Sequence, residues 1–249
     1  MPTLAHLSDL HFGAGETLEQ TARALVERIE REAVDRVLVT GDLTQNGLRS
    51  ELERYQAAFA PLIDAGCVSV VPGNHDRRGD DLVDELMPGR PRFRVEDHPG
   101  LRLVCLDSTG THNRSKLAPQ GRPLTLEEVD GMVDALATAP TGALAILALH
   151  HHPIPLPGDD LVERITGWIG LHMPRELFAG SHLLESIEGH CDLVLFGHRH
   201  IPRELWRPEA RMERPLGLFN AGCSTRLGQV RVFSYEHGRL TEPVRWLTL

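Results

Sequence analysis

The feature that most constrains this chain is a recurring unit, a short apolar run that stops at side chains able to bind a cation. "HLSDLH" ends in Asp9 and His11, "VLVTGD" in Asp42, "VVPGNHD" in Asn74 and His75, "ILALH" in His150, and "LVLFGHRH" in His198 and His200. Runs of this kind, rich in Val, Leu and Ile and bounded by turn residues, read as buried strands. Helical patterns alternate with them: Leu18, Ala22, Leu25, Val26, Ile29 and Ala33, then Leu52, Tyr55, Phe59 and Leu62. Pro61 is expected to end or kink the second of these. Thr125 and Glu128 form a capping box ahead of Leu126, Val129, Val133 and Leu136. The alternation predicts an α/β sandwich. "GLFNAG", "QVRVFSYE" and "EPVRWLTL" close the chain and read as antiparallel strands of a second sheet.

With 249 residues, 41% of them hydrophobic, the chain is long enough for one large core. No internal repeat or linker divides it, so residues 1–249 are expected to form a single domain. Residues 153–182 are irregular and rich in Pro and Gly around a weak helical patch at Leu161 to Ile165, a long surface excursion and a lid candidate. A net charge of -9 argues against a broad nucleic-acid footprint, and an anionic substrate then needs a local positive site. Cys67, Cys105, Cys191 and Cys223 lie far apart with no CxxC pair, which fits reduced thiols and a cytoplasmic protein. No targeting segment and no long apolar stretch suggests a membrane.

In α/β sheets, ligand sites form beyond the carboxyl ends of strands, so five such ends can supply one pocket. The i, i+2 spacing of Asp9 with His11, and of His198 with His200, puts each pair on one face where the strand continues. Singly, each motif has a plain alternative: Asp9 and His11 as a strand-to-loop turn, Gly41 and Asp42 as turn residues, His150 as a satisfied strand-end histidine. Their joint recurrence after apolar runs is what accident explains poorly.

With "DLH" at 9–11, "GDLTQNG" at 41–47, "GNHD" at 73–76, "LHHHP" at 149–153 and "GHRH" at 197–200, the chain resembles the calcineurin-like metallophosphoesterase superfamily. The resemblance implies a four-layer sandwich, two mixed β-sheets flanked by α-helices, with a dinuclear metal centre at the strand ends. One metal would take Asp9, His11, the bridging Asp42 and His200, and the other Asp42, Asn74, His150 and His198. The mixed nitrogen and oxygen donors suit two divalent or mixed-valence ions, Mn, Fe, Zn or Co. The implied reaction is in-line attack on phosphorus by metal-bound water or hydroxide, with His75 protonating the leaving alkoxide and Asp76 or another carboxylate as its orienting partner; the plain alternative for Asp76 is a cap of the following turn.

A narrower resemblance, carried by "HHHPIP" and "LDS" at 106–108, is to bacterial cyclic-nucleotide phosphodiesterases, although "GRPL" at 121–124 departs from their pattern. The expected partner is therefore a small phosphoester, a nucleotide among the candidates, bound by Asn74, His75, Arg78, His151 and His200. His151 is expected at the pocket rim, touching either substrate or the groups that support the metal ligands, and His152 has the weakest claim. Arg77 and Arg78 can contact a phosphate or base, or form a solvated turn; His112 and Asn113 are undecided. Trp168 and Met173 can stack on a base or pack on their own domain. The alternatives are a phosphomonoesterase or glycerophosphodiester hydrolase of the same fold, or a non-catalytic protein-binding scaffold, which predicts eroded ligands where all seven stand intact.

Overall fold

The computed structural model describes residues 1–89, 91–154, 177, 179–207 and 215–249. Most of the 153–182 excursion, with the Leu161 to Ile165 patch, Trp168 and Met173, lies outside the described residues.

Alternating side chains sort the molecule into layers. In β1 (Thr3–Leu7) and β2 (Arg36–Thr40), Ala5, Leu7, Val37 and Val39 face outward onto α1 (Glu16–Arg31) and α2 (Arg49–Asp64), burying Leu25, Ile29, Leu52 and Phe59. Leu4 and Leu38 face the other way. The period of two is that of a pleated strand, so one strand serves two cores.

The same rule governs β5 (Leu101–Leu106), β6 (Leu144–Ala148) and β7 (Leu193–Phe196). Leu103, Ile146 and Leu195 meet Leu4, Leu38 and Phe233 between the sheets, whereas Val104, Leu147 and Val194 pack outward with α4 (Leu126–Ala137) and α5 (Gly180–Ile187). The layers therefore run helix, sheet, sheet, helix, as expected. Each fully buried Leu or Ile contributes about 1.5–3 kcal/mol by leaving water.

The first sheet also contains β3 (Val68–Val71), parallel to β2, and β10 (Gln229–Glu236), antiparallel to β1, with β11 (Arg239–Leu240) and β12 (Arg245–Thr248) paired to β10. In the second sheet β5, β6, β7 and β9 (Leu216–Asn220) are parallel, and β4 (Phe93–His98) and β8 (Arg203–Arg207) are antiparallel edges. Short helices α3 (Val83–Leu86) and α6 (Ser224–Leu227), with single 3-10 turns at His75–Arg77 and Thr111–Arg114, complete the described elements.

Two expectations need correction. The C-terminal strands do not make one antiparallel sheet: β9 enters the second sheet parallel to β7, and β10 to β12 enter the first. The turn at Gly222 and α6 crosses between the stacked sheets, and alternation along a strand carries no label of the sheet it joins. Pro61 does not end α2, which continues to Asp64 with the Ala65 amide bonded to the Pro61 carbonyl at 3.2 Å. The proline sits in the last turn, where one lost donor is tolerated.

The capping box of α4 is present: the Glu128 amide donates to Thr125 Oγ1 at 3.2 Å and the Thr125 amide to Glu128 Oε2 at 3.0 Å. All four cysteines are free, three of them buried. Among the described residues, no helix is long and apolar enough to cross a membrane.

Candidate active site

Because β1, β2 and β3 are parallel, their carboxyl ends share one edge of the first sheet, and β5, β6 and β7 end together on the second. The five ligand-bearing turns meet there. Asp9, His11, Asp42, His198 and His200 all adopt left-handed backbone, with φ of 55°, 51°, 52°, 74° and 57°. This conformation costs a non-glycine residue about 1–2 kcal/mol and persists only where the surroundings enforce it. Gly41 shows the crowding: a Cβ there would stand 2.5 Å from His150 Nδ1 and 2.8 Å from the Gly73 Cα.

One donor of each of Asp9, His11, Asp42 and His200 lies within 4.8 Å of the others. His11 Nε2 faces His200 Nε2 at 3.0 Å, and His200 Nε2 is 3.2 Å from Asp9 Oδ1. A second group surrounds Asn74 Oδ1, with His198 Nδ1 at 2.9 Å and His150 Nε2 at 3.1 Å; His150 Nε2 is also 3.4 Å from Asp42 Oδ2. Asp42 thus borders both groups, and His150 is the residue of the "HHH" run that reaches them.

This donor set fits cations. Two ring nitrogens aimed at each other beside two buried carboxylates gain from a shared positive charge. His150 Nδ1 donates to the Thr40 carbonyl at 2.8 Å, which leaves Nε2 to point into the cluster. Burial pushes His11 down to about 4 and His198 down to about 3, so both present neutral rings with lone pairs. For His150 burial acts downward too, but the Asp42 and Asp9 carboxylates outweigh it and raise the ring to about 10. A cation would displace that proton.

His75 stands beside the cluster, its Nε2 3.9 Å from Asp42 Oδ2 and its side chain 18% exposed. Its Nδ1 lies 2.7 Å from the Gln45 carbonyl and 2.7 Å from Arg78 Nη1. The neutral ring can accept from the guanidinium, which puts the proton on Nε2; the protonated ring can donate to Gln45 and still carries Nε2–H. Burial, aided by Arg78 and opposed by Asp42, lowers the pKa of His75. Asp76 does not orient this ring. Its buried carboxylate accepts from the Thr44 amide at 2.9 Å, Thr44 Oγ1 at 2.7 Å and the Gly73 amide at 2.9 Å, tying the "GDLTQNG" loop to the "GNHD" turn. Burial and the nearby Asp42 push Asp76 up to about 6 against those bonds.

His151 is not at the rim. It is fully buried, with Nδ1 2.8 Å from Ser108 Oγ and Nε2 2.9 Å from the Pro119 carbonyl, so neither nitrogen is available to a substrate. His152 is buried as well, against Phe196 and with Nε2 2.6 Å from Asn220 Nδ2. Arg77 is no solvated turn residue, since it is buried in ion pairs with Asp107 at 3.0 Å and Asp81 at 3.3 Å. Asn113 and His112 bond to the carbonyls of their own loop, Asn113 Nδ2 to Ala118 and Gln120, and His112 to Gln120.

Sequence reasoning missed the Gln45 carbonyl, a main-chain atom that no residue type signals. It also missed Glu51, whose buried carboxylate accepts from the Asn46 amide at 2.7 Å and so shapes the Asp42 loop. Glu51 at the third position of a helix was the available clue.

Two stacked mixed sheets carrying Asp, Asn and His donors at their strand ends define a metal-binding phosphoesterase. The chain belongs to the calcineurin-like phosphoesterase family, whose model matches residues 2–202. It is 31% identical to the 3',5'-cyclic adenosine monophosphate phosphodiesterase CpdA of Pseudomonas aeruginosa, over 99% of this chain and 85% of that protein. It is 23% identical to a probable cyclic nucleotide phosphodiesterase of Vesicomyosocius okutanii, over 97% and 95% of the two chains. A dimetal phosphatase from Danio rerio superposes with a TM-score of 0.64 at 13% identity, covering 99% of this chain and 98% of its own, a likeness of fold.

Proposed function

We propose that the protein is a phosphodiesterase that opens a 3',5'-cyclic nucleotide at a two-metal centre. The observation that carries this reading is Asp42, which borders both donor groups. One ion would be held by Asp9, His11, Asp42 and His200, the other by Asp42, Asn74, His150 and His198. Divalent cations bound there, Mn, Fe, Zn or Co, would supply positive charge to the phosphoryl oxygens and the chemistry that activates water for in-line attack. Similarity to cyclic-nucleotide phosphodiesterases over nearly the full chain supports the substrate class.

The chain's own groups do the rest. His75, as the imidazolium, gives its Nε2 proton to the leaving ribose oxygen while its Nδ1–H donates to the Gln45 carbonyl through the transfer. Asn74 and His200 border the phosphoryl position, and Arg78 adds a guanidinium on the His75 side. Asp76 acts by holding the Thr44 loop. His200, with a side chain 34% exposed, marks where the substrate enters. The net charge of -9 favours a small phosphoester over nucleic acid, and the buried free thiols suit the cytoplasm.

The test is to strip the protein of metal, restore Mn²⁺, and assay 3',5'-cyclic nucleotides beside bis(nitrophenyl) phosphate, phosphomonoesters and glycerophosphodiesters. Linear nucleoside monophosphate formed only with metal is expected. Hydrolysis of monoesters alone would replace this reading with a phosphomonoesterase.

A further inference from the structure

β5 ends at Leu106, and the next two residues grip opposite sides of the site. Asp107, fully buried, reaches toward the first sheet: its Oδ2 accepts from Arg77 Nη2 at 3.0 Å and from Arg92 Nη1 at 3.1 Å. Its Oδ1 accepts from the Thr109 amide at 2.9 Å and from Thr109 Oγ1 at 2.6 Å, and Thr109 Oγ1 accepts from Arg77 Nε at 2.8 Å. Arg77 closes the single helical turn that begins at His75. The planar guanidinium, held along two edges, leaves that turn little freedom to rotate.

Ser108, also fully buried, reaches into the second sheet. With His151 Nε2–H donating to the Pro119 carbonyl, Nδ1 carries the lone pair and the Ser108 hydroxyl donates to it at 2.8 Å. The His151 amide donates back to Ser108 Oγ at 3.2 Å. The ring so fixed packs against His198 at 4.7 Å and His150 at 5.1 Å between centroids, behind two of the metal donors. Arg122 pins the pair from outside, its amide to the Ser108 carbonyl at 2.9 Å and its Nε to the Asp107 carbonyl at 3.1 Å.

We propose that Asp107 and Ser108 are positioning residues with separate tasks: Asp107, through Arg77, sets the place of the proton donor His75, and Ser108, through His151, sets the orientation of the metal donors His150 and His198. The proposal rests on the His75 role given above. The two neighbouring side chains bond to opposite sides, Asp107 to Arg77 and Ser108 to His151, so one short segment spaces the acid from the metal donors. A misplaced acid costs rate only where the leaving group needs a proton.

The experiment uses the full-length, Mn-reconstituted protein and two diesters, one with a nitrophenolate leaving group that needs no proton and one with an alkoxide leaving group that does. Asp107→Asn is expected to lower kcat on the alkoxide ester about ten-fold, with the aryl ester, KM and metal content near those of the parent. Arg77→Lys, which keeps the charge and loses the fork, should do the same and carries the test should Asp107→Asn not fold. Ser108→Ala should show the converse, about ten-fold faster metal loss to a chelator with an unchanged ratio between the two esters. Asp84→Asn, at an exposed partner of Arg92, is the control. Equal loss on both esters for Asp107→Asn and Arg77→Lys overturns the proposal and leaves a purely structural ion pair. His75→Ala separates the two readings: no leaving-group discrimination there removes the general acid and the Asp107 task with it. Discrimination in His75→Ala but not in Asp107→Asn removes the Asp107 task alone.

Discussion

The two ends of the sandwich solve the same problem differently. Turns at both ends place residues in left-handed backbone. At the end away from the site these are mostly glycines, Gly66, Gly100, Gly142, Gly189 and Gly238, with Ala33 and His237 as exceptions. At the site end glycines such as Gly41, Gly47 and Gly222 are joined by five side-chain donors, Asp9, His11, Asp42, His198 and His200. Glycine would relieve the strain there and remove the donor. The strained positions are thus the ones whose side chains are needed, and the rest of the fold sustains the cost.

Asp42→Asn should show the largest effect at the site end. It removes the carboxylate common to both donor groups, and turnover is expected to fall about 10³-fold or more with loss of bound metal, read by elemental analysis. Retention of a full metal complement would break the contrast between the ends.

Exchanging glycines sharpens it. Gly41→Ala drives a methyl into His150 and Gly73, so about 2–4 kcal/mol of stability and most activity should be lost. At Gly142 the nearest atom to an added Cβ is the His237 Cα at 3.9 Å, so Gly142→Ala carries only the cost of its positive φ of 81°, about 1–2 kcal/mol, with kcat unchanged. Paired thermal melts and assays check both.

His6, between the sheets, gives a contrast that depends on pH and vanishes near neutrality. Burial, reinforced by the charge of Arg231, holds its ring at about 3 against an ordinary 6.5. The unfolded chain therefore takes up this proton first as pH falls. The contribution is complete above about pH 6.5 and declines by about 1.4 kcal/mol per pH unit toward pH 3. Denaturant titrations from pH 7 to 4 should show a shallower decline in His6→Asn than in the parent, and identical slopes would remove His6 as a source.

Strands that lie in the middle of a sheet were legible because burial on both faces demands unbroken apolar runs, and the site was legible because its donors follow those runs directly. Edge elements were not. β4, "FRVEDH", has half its side chains in ion pairs, with Arg94 to Glu96 at 2.6 Å and Arg102 of β5 to Asp97 at 2.7 Å, and carries no apolar period. His151 and Arg77 were misplaced for a related reason: polarity suggests solvent, but a polar group with every donor and acceptor satisfied can sit at the centre of the molecule. The roles of Gln45 and of the carbonyl of Pro119 belong to the main chain and leave no trace in residue type.

The pairing of β1 with β10 has a consequence for biosynthesis. Thr3 leaves the ribosome long before its antiparallel neighbour Ser234. Until then one margin of the first strand stays open, an invitation to pair with another nascent chain. The donors from His198 and His200 also arrive late, so partial chains hold an incomplete cage. Activity has to wait for those two turns, and a bound metal would then fasten strands already in register.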